Sequence, residues 1–154
     1  MQKAKVSGKD LTKEAPRSPH ERLGGFVILV RTIDKCRATI SGTVGEYHFD
    51  CPLDNVLFKF KNIKGAEFKK FVETGASDAE ILEWVKKNGT LKTEAEITAW
   101  SKMAEAENYA GKPDSKRWLE GENKRLGLPK DGTLFDFLDA DDALCFKAGS
   151  NVCL

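Results

Sequence analysis

The sequence predicts a mainly α-helical protein, a compact single domain of about six or seven short helices joined by tight turns. Three observations predict it. Apolar residues recur at helical spacing from Leu29 to Leu138, and Ser77 and Thr93 are each followed three positions later by Glu where a helix has to start. Glycine and proline punctuate the intervals, closing each apolar run before it grows long. With 154 residues, 40% hydrophobic and 32% charged, the chain is of one-domain size and apolar enough to fold. Residues 1–15 read as a polar, mobile N-terminal segment, and 16–154 as one helical domain with 90–154 as its second layer.

Pro16 and Pro19 keep the first core element from starting before Gly24-Gly25, where the backbone gains freedom or something approaches closely. Leu29, Ile33, Cys36 and Ile40 then form one apolar stripe of a helix, with Arg31, Asp34, Lys35 and Arg37 off it. The competing reading makes the β-branched residues between 26 and 50 a small β element turning at Ser41-Gly42. Asp54 is the expected N-cap of a helix carrying Val56, Leu57, Phe60 and Ile63, and Phe68, Phe71 and Val72 mark a short one stopped by Gly75. The two capping boxes open helices with Ile81, Trp84 and Val85, and with Ile97, Trp100 and Met103. A charged helix with Trp118 and Leu119 follows, then a last short one capped by Thr133. All three tryptophans sit at core spacing, so packing is their expected role.

The blocks DLTKEAPRSPHERLGG, IDKCRA, GEYHFDCPLD, GASDAEILEWV and FDFLDADD, in that order and spacing, resemble a bacterial family catalogued as domain of unknown function 5069. The resemblance runs from Asp10 to Asp142. It implies a compact single-domain bacterial protein and a helix over Ile33 to Ala38, and no particular activity.

Net charge of +1 argues against nucleic acid and against a charged membrane surface as partners. No apolar run is long enough for a bilayer span, and the four cysteines include no C-x-x-C, so a cytoplasmic protein without metal or cofactor is expected. Arg17, Arg22 and Arg31 flank Gly24 and Gly25 ahead of a helix start, which suits an anion, with Tyr47 as a further ligand-binding residue. On that reading Arg17→Ala and Arg22→Ala abolish binding without lowering the melting temperature. The bland reading has the glycines making a turn and the arginines paired with Glu14, Glu21 or the acidic run Asp136 to Asp142.

His48, with Asp34, Glu46 or Asp50 fixing its tautomer, is the only acid–base candidate, and Cys51 beside it is a weaker nucleophile candidate. Asp34 and Arg37 are expected as a surface ion pair at i, i+3, becoming a buried network or a site wall if their face is covered. The expected function is therefore a non-catalytic binding or interaction module for a small anionic ligand or a protein partner, with a homodimer compatible. The alternative is a small enzyme using His48 and a carboxylate on an anionic substrate.

Overall fold

A computed structural model describes residues 6–147. Seven helices follow one another among them: α1 Leu29–Ser41, α2 Pro52–Lys61, α3 Gly65–Val72, α4 Asp78–Lys87, α5 Glu94–Glu105, α6 Pro113–Arg125 and α7 Leu134–Cys145. The β reading over residues 26–50 is not realised. Its only trace among the described residues is an isolated antiparallel bridge between Leu23 and Phe26, because the buried run Phe26 to Ile28 has no second strand to pair with.

Local chemistry places most helix ends. Ser77 and Glu80, and Thr93 and Glu96, satisfy one another's amides as reciprocal capping boxes, and the Thr133 hydroxyl accepts from Asp136 N–H. Gly42 closes α1 in the left-handed conformation at φ 77°, its N–H returned to the last turn. The expected cap of α2 is displaced. Cys51 is the N-cap and Pro52 the first helical residue, because Asp54 turns inward and is fully buried.

The core joins both halves of the chain. Phe26, Leu29, Ile33, Phe58, Phe68, Ile81, Ile97 and Phe135 belong to one buried cluster, contributed by the segment before α1 and by α1, α2, α3, α4, α5 and α7. Aromatic pairs knit it, with Phe60 stacked on Trp100 at 4.7 Å and Phe71 on Trp84 at 5.6 Å between centroids. Trp118 departs from its expected role: it stays about half exposed, touching Phe137 edge-on. The N-terminal segment is packed where it is described. Leu11 is buried against Ala38 and Tyr47, and its N–H donates to the Thr43 carbonyl. Residues 1–5 lie outside the described residues.

α1 is the axis of the fold. It packs on α2 and α3, and its polar side is covered as well, so Arg31, Thr32, Asp34 and Lys35 are as buried as Leu29 and Ile33. The surface ion pair expected between Asp34 and Arg37 is absent for that reason. Asp34 instead binds Arg17, and Arg37 reaches Asp78 at the start of α4.

Candidate functional site

Entry into α1 is strained. Ile28 sits at φ 73°, ψ −37°, and Leu29 N–H donates across it to the Val27 carbonyl at 2.8 Å, a γ-turn of the unfavourable hand. A β-branched residue at positive φ is a true outlier and persists only where its surroundings impose it. Here Ile28 is wholly buried, and its N–H is held by the Pro19 carbonyl at 2.9 Å. No side chain caps the helix that follows, and its first N–H, that of Leu29, is spent on the Val27 carbonyl.

Beside that start lies a cleft of about 670 Å³, within the usual range for small-molecule sites. Ile28 just before α1, Arg31 and Lys35 of α1, and Tyr47, His48 and Cys51 of the loop before α2 line it. The remaining walls are largely apolar: Leu53 and Val56 of α2, Trp100, Met103 and Ala104 of α5, Trp118 of α6, and Leu134, Phe135 and Leu138 of α7. Val56, Met103 and Trp118 are exposed, Met103 to 75%. Tyr109, another non-glycine residue at positive φ (62°), lines the cleft with Glu107 and Lys112.

The α1 side of the cleft is built from buried ion pairs. Arg31, only 3% exposed, holds Asp142 of α7 through both terminal nitrogens, at 2.8 and 3.3 Å, and donates to the Arg17 carbonyl. Tyr47 donates its hydroxyl to the same Asp142 at 2.7 Å. Burial, then the bond to that carboxylate, pushes the Tyr47 pKa well up, so the hydroxyl stays a donor. Lys35, also 3% exposed, pairs with Asp54 at 2.9 Å and donates to Cys51 Sγ at 3.2 Å. Asp54 is completed by the Thr32 hydroxyl and the Asp50 N–H. An ammonium has three donors and a guanidinium five. The third N–H of Lys35 and Nε of Arg31 have no acceptor among the described residues, and both side chains line the cleft.

The structure brings together four of the residues singled out in the sequence, Arg31, Tyr47, His48 and Cys51, and adds Lys35 and the aromatic walls. The others lie elsewhere. Arg17 bridges Asp34 and Asp78 away from the cleft, with Glu21 at 3.9 Å, and Arg22 pairs with Glu105 on the surface at 2.8 Å. Gly24 and Gly25 make a turn at positive φ, where a Cβ on Gly24 would fall 2.5 Å from Leu82 and the Gly25 carbonyl accepts from the Ser101 hydroxyl. Glu46 is exposed and does not line the cleft, while Asp34 is committed to Arg17. No carboxylate among the described residues hydrogen-bonds the His48 ring, whose partner was expected to be Asp34, Glu46 or Asp50; the Asp50 carboxylate accepts from Asn55 instead.

Behind the cleft the Arg17 network ties the N-terminal segment to α1 and α4. Burial alone would lower the Arg17 pKa, but the carboxylates of Asp78 and Asp34 outweigh it and hold the guanidinium charged. Burial would raise the Asp78 pKa, yet Arg17 and Arg37 together hold it below the usual carboxylate range. A carboxyl depressed in the folded state adds stability above its unfolded pKa of about 4, and that stability is lost as pH falls through the folded value. Melting temperature should therefore drop as pH is lowered from 5 towards 2, and Asp78→Asn should start lower and fall less over that range. An equal fall in both proteins would rule out Asp78 as a contributor.

A separate cluster lies on the outer face of α7, where His20, Asp136 and Asp139 place ligand atoms within 4.8 Å of one another. His20 Nε2 is 2.9 Å from Asp136 and its ring meets Phe135 edge-on, so the cluster reads as a hydrogen bond clasping the N-terminal segment to α7.

The family model described as Domain of unknown function (DUF5069) matches residues 13–144, a span that includes all the cleft-lining residues, and the chain belongs to that family. No curated protein matches the chain.

Proposed function

For this member of the DUF5069 family we propose a non-catalytic binding module whose cleft beside α1 takes a small organic anion with an apolar body. The observation that carries the proposal is the pairing of two cations, each 97% buried and each with an unused donor, with an aromatic and aliphatic wall on the same cleft. Burying a cation is costly unless it is paired, and each of these two already is, which holds its spare donor in place at the cleft. A ligand oxygen at Lys35 and Arg31 fills those spare donors with charge-assisted hydrogen bonds. The apolar body then lies between Trp118, Met103 and Leu138.

Two features support binding over acid–base catalysis: His48 has no carboxylate among the described residues to orient it, and Arg17 and Arg22 are engaged in ion pairs elsewhere. No helix among the described residues is long and apolar enough to cross a membrane. A cytoplasmic setting, expected from the sequence, remains part of the proposal.

The test is a thermal-shift and calorimetric comparison of nonanoate with nonanol, and of 1-naphthoate with 1-naphthol. The carboxylates should raise the melting temperature and the alcohols should do so much less; at a hundred times the dissociation constant the gain is about 2.7 kcal/mol. Met103→Glu, at an exposed position on the rim, should fold normally and weaken carboxylate binding at least about tenfold, or about 1.4 kcal/mol. Equal response to acid and alcohol, or an unaffected Met103→Glu variant, would overturn the reading.

A further inference from the structure

The cleft also holds a nucleophile that simple binding does not use. Cys51 lines it as a partly exposed free thiol, and its sulfur accepts a hydrogen bond from Lys35 Nζ at 3.2 Å. That ammonium cannot swing away, being 97% buried and anchored to Asp54 at 2.9 Å. Cys51 is also the N-cap of α2, whose first turn has no side-chain cap. A fixed ammonium, a helix N-terminus and partial exposure together form the surroundings in which cysteines react. Cys36 shows the contrast: it is wholly buried on α1, and burial pushes its thiol up to about 12, so it is inert.

We propose that Cys51 is a covalent capture site for α,β-unsaturated carbonyl compounds with an apolar tail. The inference rests on the binding reading, since it seats the tail on the same apolar wall and the carbonyl oxygen at the same spare donors. The sulfur adds to the β-carbon, forming a C–S bond. The π pair of the C=C bond shifts through the α-carbon onto the carbonyl oxygen, giving an enolate. The spare N–H of Lys35 meets that oxygen as its charge develops. The thiol proton ends on the α-carbon, so nothing leaves and no oxidant or reductant is required.

The experiment treats the full chain with trans-2-nonenal or with acrolein, traps adducts with borohydride and maps them by peptide mass spectrometry. Rates are normalised to those of each aldehyde with glutathione. Nonenal is expected to label Cys51 first and about tenfold or more faster than acrolein, since added methylenes are withdrawn from water in the cleft. Saturating nonanoate should slow labelling, and Cys51→Ser should abolish it. If nonanoate stabilises the protein while Cys51 stays unmodified or another residue is labelled first, capture is overturned and the binding reading stands. If Cys51 reacts alike with both aldehydes and nonanoate neither binds nor protects, both are overturned.

Discussion

Replacing Lys35 with Met should destabilise the protein by about 3–5 kcal/mol, the range for breaking a buried ion pair from one side. The cause is the partner left behind. Asp54 is fully buried, and without Lys35 its donors among the described residues are two neutral groups, the Thr32 hydroxyl and the Asp50 N–H. Those bonds satisfy oxygen lone pairs but supply no compensating charge. For a domain of this size the loss lowers the melting temperature by roughly 6–20 °C. The companion variant Lys35→Met/Asp54→Asn removes both charges while an amide oxygen still accepts from Thr32 or Asp50, and it should recover most of the loss. Urea unfolding of the two single variants and the double closes a cycle in which the single losses are strongly non-additive. A Lys35→Met loss below about 1 kcal/mol would put the pair in the class of screened surface bridges and remove the basis for a desolvated ammonium in the cleft.

That ammonium illustrates what the sequence reveals and what it leaves hidden. The capping boxes at Ser77 and Thr93, the Thr133 cap and the apolar stripe of α1 are local, and the folded chain uses each as its spacing predicts. Lys35 and Arg31 follow the spacing of a solvated helix face. Their burial is decided by Asp54, Tyr47 and Asp142, the last lying 111 positions from Arg31, and no window along the chain contains that information. Cys51 was legible only as a neighbour of His48, whereas its hydrogen-bond partner is Lys35, one helix away. The strain at Ile28 was less legible still, because isoleucine is among the last residues that sequence reasoning assigns to positive φ. Local signals therefore gave the helices, and long-range pairing of charges gave the cleft.

The second large effect is expected at Arg17, where the arginines of the N-terminal segment part company. Arg17→Ala should cost about 3 kcal/mol, because it leaves the carboxylate of Asp34, itself 3% exposed, with a single backbone donor from residue 17. Asp78 suffers less, since Arg37 still binds it at 2.8 Å and it is partly exposed. Arg22→Ala should cost no more than about 1 kcal/mol, because its bond to Glu105 is a single surface pair that water and salt replace. The sequence presents the two residues alike, as basic side chains on either side of His20 before the glycine pair. Their environments separate them, and the consequence for binding reverses the sequence-based expectation. Neither variant should abolish carboxylate binding, and Arg17→Ala, expected from sequence to leave the melting temperature alone, should lower it by roughly 6–12 °C. Paired thermal and calorimetric measurements on both variants decide the matter. Loss of nonanoate binding in Arg22→Ala at an unchanged melting temperature would move the anion site from the cleft beside α1 to the surface at Glu105.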